Sequence, residues 1–372
     1  MARRVDRQQA QPPALRVAMV STPFVAVPPP RYGGTELVVA ELVDGLLERG
    51  VQVTLFATGD STGGYRSRCA VRSRFEHAAW PPSDALELEH CAYALQALIA
   101  KAGSFDLVHA HCASLLPFAS MLGMPMVYTL HHHFRADLAR LYQAHPEVTY
   151  VSISRRQLQL SGPFPRSAII HHGIDPARYR LGTPRKDTVA FLGRLSQVKG
   201  PHIAVDVARR AGLKLRVGGR AHEQDRDYFR TEVSWRLRQD HVEYLGELSH
   251  EPKVALLSTA RALLFPIDWE EPFGLVAIEA MLCGCPVVAF GRGAIPEIVE
   301  EGVTGFVARD PEHMAQLLHG PAAPERFDRQ RCRERAEQRF STERMTDDYL
   351  AAYRLALRSS TTLEERAELP PA

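Results

Sequence analysis

The chain has 372 residues, of which 45% are hydrophobic and 24% are charged, and its formal net charge is +2. A chain of this length is longer than a domain with a single ordinary hydrophobic core, and it predicts two domains. The near balance of positive and negative charge argues against a nucleic-acid-binding protein. No run reaches the roughly 20 apolar residues of a membrane span, which leaves only peripheral membrane contact open. The six cysteines contain no C-x-x-C pair and predict reduced thiols in a cytoplasmic protein.

The first half of the chain predicts alternating strands and helices. Residues 1–13 are rich in arginine, glutamine and proline without an apolar stretch, and predict a disordered leader rather than a secretory signal. A strand at 15–20, a glycine-containing loop and a helix at 37–49 follow, and a strand at 51–57 completes the unit. Further elements are a helix at 85–101 and strands at 107–110, 126–130, 149–153 and 168–170. This order is typical of a doubly wound α/β domain, which we expect over residues 14–183.

A second alternating series follows a polar linker at 179–186. It begins with a strand at 188–192, a loop and a helix at 201–211. The later elements are strands at 213–217, 242–245, 262–265, 286–290 and 305–307 and helices at 253–260, 272–282, 294–299, 311–318 and 324–339. We therefore predict an α/β fold of two Rossmann-like, doubly wound domains that face a central cleft. The second domain is expected over 184–340, before a final helix at 341–357 and a disordered tail at 358–372.

The most specific chemical signal is the strand, loop and helix at 263–282. Glu271 and Glu279 are separated by seven residues and are predicted on either side of the helix start. A helix N-terminus presents unpaired N–H groups and the positive end of a dipole, which suits a phosphate. The carboxylates then reach sugar hydroxyls on both sides of that phosphate, so the pattern fits a sugar joined through a diphosphate to a ribose. One such carboxylate alone would be expected as a surface charge.

Two other loops carry candidate ligand-binding residues. Arg194 and Lys199 follow the first strand of the second half, at the strand end where open α/β sheets bind ligands, and two cations there suit a diphosphate. Gly33 and Gly34 join the first strand to its helix, and glycines allow a ligand to approach the backbone. The alternatives are an exposed basic loop for the first pair and a tight turn capped by Thr35 for the second.

Histidines and aspartates suggest further sites. His109 and His111 end a strand, where one neutral imidazole facing a sugar hydroxyl is favoured over a zinc site without a third ligand. The run 131–133 also ends a strand, and at least one of its histidines is expected to face the cleft. Asp225 and Asp227 form a D-x-D string, for which a solvated helix start is favoured over a metal site.

Together these motifs resemble those of the retaining glycosyltransferases of family 4, which have the GT-B fold. The resemblance spans residues 15–357. It is carried by Gly33-Gly34-Thr35-Glu36, Phe191-Leu192-Gly193-Arg194, Lys199-Gly200, Gly246-Glu247, Glu271-Pro272-Phe273-Gly274-Leu275-Val276 and Glu279. One departure is His172, where the family usually carries asparagine.

The resemblance implies transfer of a hexose from a nucleoside-diphosphate sugar to an acceptor hydroxyl, with retention of anomeric configuration and no cofactor or metal required. A UDP-sugar is favoured, with a GDP-sugar next, and the acceptor is not readable. Two alternatives are a nucleotide-sugar 2-epimerase and a non-catalytic nucleotide-sugar-binding protein.

The resemblance also implies roles for single residues. Arg194 and Lys199 would bind the donor diphosphate, Glu279 the ribose and Glu271 the transferred sugar, and His111 would lie near that sugar. These residues except Glu279 form the candidate catalytic set. The candidate donor-binding set is Gly33, Gly34, Arg194, Lys199, Glu271, Phe273, Gly274, Leu275, Val276 and Glu279. The last helix, near Tyr349 and Tyr353, would cross back onto the first domain.

Overall fold

The computed structural model describes residues 14–31, 33–101, 103–323 and 326–367, with side chains as far as residue 358. The predicted leader at 1–13 therefore lies outside the described residues. No helix in these ranges combines the length and the apolar character needed to cross a membrane.

Seven parallel strands form the sheet of the first domain. They are β1 (Arg16–Val20), β2 (Gln52–Phe56), β3 (Ala70–Arg72), β4 (Leu107–Ala110), β5 (Met126–Thr129), β6 (Thr149–Ser152) and β7 (Ser167–Ile169). Their spatial order is β3-β2-β1-β4-β5-β6-β7. The order reverses between β1 and β4, and the crevice beyond the carboxyl ends of such strands is where open α/β sheets bind ligands.

Four α-helices belong to this domain before the chain crosses to the second. They are α1 (Gly34–Glu48), α2 (Asp84–Ala100), α3 (Ala136–Ala144) and α4 (Arg155–Ser161). The sequence did not predict α3 or α4, nor a 3₁₀ helix at Ala113–Met121. Helix α3 spans nine residues, in which Tyr142 is buried and Leu138 and Leu141 pack partly buried against the core, so its apolar spacing covers little more than one turn.

Six parallel strands form the second sheet. They are β8 (Thr188–Leu192), β9 (Lys214–Gly218), β10 (Val242–Gly246), β11 (Leu263–Phe265), β12 (Val287–Phe290) and β13 (Gly305–Ala308), in the order β10-β9-β8-β11-β12-β13. Every residue of β8 and β11 is buried, as expected for a parallel sheet that is covered on both faces. The predicted fold class, two doubly wound α/β domains, is confirmed.

The helices of the second half differ from the prediction mainly at their ends. They are α5 (Pro201–Arg210), α6 (Arg226–Tyr228, continued by a π turn at Phe229–Val233), α7 (His250–Thr259), α8 (Leu275–Leu282), α9 (Ile295–Ile298), α10 (Pro311–His319), α11 (Arg329–Phe340) and α12 (Thr342–Ala367). The prediction that α8 opens at Pro272 is wrong, because Gly274 takes a left-handed conformation with φ of +99° that ends the loop there. Residues 358–367 of the expected disordered tail continue α12, and residues 368–372 lie outside the described residues.

A buried carboxylate on α1 ties the two chain crossings to the first domain. Glu41 accepts hydrogen bonds from the Asp175 backbone N–H at 3.0 Å, from Arg178 Nη1 at 2.8 Å and from Thr342 Oγ1 at 2.7 Å. Burial raises the pKa of Glu41 to about 7, against the opposing effect of Thr342 and Arg178. Asp175 and Arg178 lie on the outgoing crossing and Thr342 on the returning one, so this single side chain fixes both.

Candidate active site

The cleft lies where the start of α1 faces the start of α8. A Cβ atom added to Gly34 would lie 3.4 Å from Leu275 Cδ1, so the two helix N-termini are close neighbours across the cleft. The rings of His133, from the first domain, and Trp269, from the second, lie 5.2 Å apart. The predicted loops are therefore brought together although they are distant in the sequence.

Helix α1 begins at the glycine pair without a side-chain cap. Gly33 is the N-cap, so the alternative of a cap by Thr35 is wrong. A Cβ atom on Gly33 would lie 2.7 Å from Pro29 Cβ, which requires glycine at this position. The side chain of the N-cap residue supplies no hydrogen bond to the first turn of this helix, and an uncapped helix N-terminus suits an anion.

Helix α8 also presents an uncapped N-terminus. Its N-cap is Gly274, and no side chain accepts a hydrogen bond from the first turn, which contains Leu275 and Val276. Phe273 is only 2% exposed and packs its ring 4.9 Å from that of His172. The buried phenylalanine anchors the loop, so the backbone N–H groups that follow it are held in place.

The carboxylate of Glu271 is paired with Lys199. Its Oε2 forms an ion pair with Lys199 Nζ and accepts a hydrogen bond of 2.7 Å from Trp269 Nε1. Lys199 Nζ also lies 4.8 Å from the centroid of the Trp269 ring. A Cβ atom on Gly293 would meet the Glu271 backbone nitrogen at 2.2 Å, so glycine is needed behind the loop. Sequence analysis identified neither Trp269 nor Gly293 as a site residue.

Glu279 has two partners that sequence analysis missed. It accepts a hydrogen bond of 2.9 Å from the Tyr179 hydroxyl and forms an ion pair with Lys253 Nζ. Burial and the charge of Glu279 raise the pKa of Tyr179 well above its usual value. Because these partners come from the linker and from α7, only the folded chain reveals them.

Arg194 is held by charge rather than by a hydrogen bond. Its Nε lies 3.4 Å from Asp225 Oδ2, and neither buried atom has a hydrogen-bond partner in the described structure. Asp227, the other acid of the D-x-D string, has a side chain that is 92% exposed and pairs with Arg230. Asp225 Oδ2 is therefore buried beside Arg194, whereas Asp227 is exposed to solvent. The described residues contain no group of three or more His, Cys, Asp or Glu side chains arranged to hold a metal ion.

His109 is part of the packing beneath the site. Its Nδ1 lies 2.7 Å from the Tyr353 hydroxyl and its Nε2 lies 2.8 Å from Thr129 Oγ1. Tyr349, also on α12, bonds the same Thr129 hydroxyl at 2.9 Å. Burial lowers the pKa of His109 to about 3, so the ring is neutral and its bonds attach the returning helix to β4 and β5.

His111 and His131 lie nearer the cleft. Their rings are joined by a contact of 2.7 Å between His111 Nδ1 and His131 Nε2, and His131 stacks on His172 at 5.5 Å. Burial, together with the neighbouring histidines, lowers the pKa of His111 and of His131 well below the usual value. His109, His111, His131 and His172 are thus one connected group of neutral rings.

A salt bridge between the domains lies beside the predicted donor loop. Arg156 on α4 donates from Nε and Nη2 to Glu270, with both distances 2.8 Å. Glu297 on α9 accepts from the backbone N–H groups of Arg155 and Arg156, each at 2.8 Å, and so caps α4 from the other domain. These contacts set the separation of the lobes at one side of the cleft.

Comparisons with known proteins agree with this architecture. The family model of glycosyl transferases group 1 matches residues 177–339, and that of glycosyltransferase family 4 matches residues 32–178. The chain is 28% identical to a D-inositol 3-phosphate glycosyltransferase of Mycolicibacterium paratuberculosis, over 89% of this chain and 87% of that protein.

Solved structures show the same fold. AviGT4, a glycosyltransferase involved in avilamycin A biosynthesis, matches with a TM-score of 0.67 and 28% identity, over 92% of this chain and 98% of that one. HepE of Anabaena, solved with UDP and glucose, matches with a TM-score of 0.71 and 21% identity, over 92% and 100% of the two chains. The two family models together cover most of the chain and meet at the crossing between its two sheets. The protein therefore belongs to the family 4 glycosyltransferases of the GT-B fold and is a glycosyltransferase.

Proposed function

We propose that the protein is a retaining, metal-independent hexosyltransferase that uses a nucleoside-diphosphate sugar, with a UDP-sugar favoured and a GDP-sugar next. The observation that carries the proposal is the grouping of Lys199 and Glu271 beside the uncapped N-terminus of α8. A cation, a helix dipole and a carboxylate at one place suit a phosphate that is joined to a hydroxylated sugar. The UDP and glucose in the solved HepE structure support the same class of donor.

In this proposal the protein stabilises charge on the departing diphosphate. As the bond between the anomeric carbon and the phosphate oxygen breaks, negative charge develops on the β-phosphate. In the proposal, Arg194, Lys199 and the N–H groups of Leu275 and Val276 bind this charge, and such preorganised donors usually supply the largest share of catalysis. The departing phosphate takes the proton of the acceptor hydroxyl on the same face of the sugar, which retains its configuration. Closure of the two domains limits attack by water.

The remaining site residues are proposed to bind the rest of the donor. Glu271 accepts hydrogen bonds from hydroxyls of the hexose, and the backbone amides of Phe273 and Gly274 hold the same sugar. Gly33 and Gly34 allow the first domain to approach the diphosphate. His111, which contacts His131 at 2.7 Å, is proposed to lie near the transferred sugar.

Glu279→Gln is expected to weaken UDP binding about tenfold, because the proposed ribose contact loses its charge-assisted hydrogen bonds. The matched control is Glu251→Gln, since the Glu251 side chain is 70% exposed and pairs with Arg180. Calorimetric titration with UDP measures both affinities. Equal UDP affinity in the wild type and in Glu279→Gln would remove the ribose role.

Nucleotide release in the presence and absence of acceptors tests the reaction. We expect release of UDP or GDP to depend on an added hydroxyl acceptor, with D-inositol 3-phosphate included in the panel because a relative carries that name. Release without any acceptor would favour an epimerase, and binding without release would favour a non-catalytic protein. Mass spectrometry of nucleotide sugar retained on the purified protein identifies the base and the sugar together.

A further inference from the structure

A basic pocket of about 400 Å³ lies where the two chain crossings meet. Arg155 begins α4 of the first domain, His171 lies on the outgoing crossing, and Arg339 and Arg344 flank the returning one. Pockets that bind small molecules commonly have volumes of about 300–1,000 Å³. Among the described residues that line this pocket, none belongs to the proposed donor site, so it is a separate cavity.

The lining of the pocket carries three arginines against a single carboxylate, that of Asp348. This carboxylate accepts a hydrogen bond of 2.8 Å from Arg344 Nη1, one turn earlier on α12. The Arg155 side chain is exposed and forms no hydrogen bond or salt bridge with any described residue. The acid of the lining is therefore committed to one arginine, and positive charge is in excess.

Two further carboxylates lie close to the pocket but already have donors of their own. Glu297 accepts from the backbone N–H groups at the start of α4 and lies 3.4 Å from His171 Nε2. Glu300 Oε2 lies 2.6 Å from Arg335 Nε, whereas its distance to Arg339 Nη1 is 3.8 Å. Neither acid fully neutralises the arginines that face the pocket.

The guanidinium of Arg344 is held rigidly, although one of its nitrogens is unused. Nη2 donates to the carbonyl oxygens of His171 and His172 at 2.6 and 3.1 Å, while the buried Nε has no hydrogen-bond partner in the described structure. Burial lowers the pKa of Arg344, and burial together with the charge of Arg335 lowers the pKa of Arg339. The fold thus holds these charges close together at a cost in free energy that a bound anion offsets.

We infer that this pocket binds a phosphate group, free or carried by a small molecule, through Arg155, Arg339 and Arg344. A guanidinium presents paired N–H donors that match two phosphate oxygens, so three arginines suit this anion well. Ile169, which is 38% exposed, offers an apolar wall to the remainder of a phosphorylated molecule. Because Arg155 and Arg339 belong to different domains, the bound phosphate joins the domains at the crossings. The inference is independent of the proposed function.

Calorimetric titration at an ionic strength of about 0.15 M tests the site with inorganic phosphate and glucose 6-phosphate, and with glucose as the uncharged reference. We expect the wild type to bind at least one of the two phosphates and not to bind glucose. Arg155→Ala is expected to bind the phosphates about tenfold more weakly, because a charge-assisted contact is lost from an exposed side chain that supports no other group.

Two further variants locate the bound phosphate. Arg68 is also an exposed arginine of the first domain, but it precedes β3 at the opposite edge of the sheet from β7. Arg68→Ala is therefore the matched control and is expected to keep the wild-type affinity. Lys199→Ala changes the proposed donor site instead, and is also expected to bind the two phosphates like the wild type.

The outcomes separate the source of the phosphate and the two sites. Tighter binding of glucose 6-phosphate than of inorganic phosphate identifies a phosphorylated molecule, equal affinities identify the free anion, and both results support the pocket. A loss in Lys199→Ala without a loss in Arg155→Ala assigns the phosphate to the donor cleft and overturns the inference, while it supports the proposed function. Equal losses in Arg155→Ala and Arg68→Ala, or no binding of either phosphate by the wild type, also overturn the inference.

Discussion

Arg194→Ala and Lys199→Ala are each expected to lower turnover about 10²–10³-fold while the fold persists, because one donor to a developing anion is commonly worth that much. The two variants should differ in donor binding. Lys199 neutralises Glu271, which is only 7% exposed, so its loss leaves a buried carboxylate beside the donor sugar. We expect Lys199→Ala to raise KM for the donor as well as to lower kcat.

The control for both variants is Lys214→Ala. Lys214 begins β9, its side chain is 69% exposed, and it pairs with Asp187 at the end of the sheet opposite the cleft. The Lys214→Ala substitution removes one positive charge from the same domain without changing any residue of the proposed site. Steady-state assays with the identified donor measure all three variants, and near-normal turnover in both Arg194→Ala and Lys199→Ala would refute the charge-stabilising role.

Glu41→Ala is expected to reduce the free energy of unfolding by about 3 kcal/mol, because removing one partner of a buried ion pair leaves the other charge uncompensated. The charge left behind is Arg178, whose guanidinium carbon lies 3.3 Å from the centroid of the Tyr65 ring. The Asp175 N–H and the Thr342 hydroxyl lose their acceptor as well. Both chain crossings are then loosened together.

Glu48→Ala on the same helix is the matched control for this loss. Glu48 pairs with Arg66, but its side chain is 45% exposed, and exposed pairs contribute at most about 1 kcal/mol. Denaturant titration gives the unfolding free energies, and limited proteolysis near residues 173–178 reports the crossings. Equal stability of the two variants would show that Glu41 does not tie the crossings to α1.

The buried strands of the core could be predicted from the local pattern of apolar residues in the sequence. The strand β4 was predicted with its observed ends, Leu107 and Ala110, because it is a short apolar segment that only His109 interrupts. Helix α3 was missed because it spans only nine residues, and its apolar positions, Leu138, Leu141 and Tyr142, give a single turn of helical spacing. The start of α8 was misplaced because Pro272 is a common first helical residue, whereas the backbone of Gly274 sets the real boundary.

The sequence by itself determined the two-domain α/β class and the candidate residues Arg194, Lys199, Glu271 and Glu279, because apolar runs and charges at strand ends are local features of the chain. Only the tertiary structure decided what these residues contact. The partners of Glu279, Tyr179 and Lys253, come from segments that no spacing rule connects to it. The bond between His111 and His131 likewise depends on two strand ends that meet only when the sheet forms, since hydrogen bonds are set by distance in space and not along the chain.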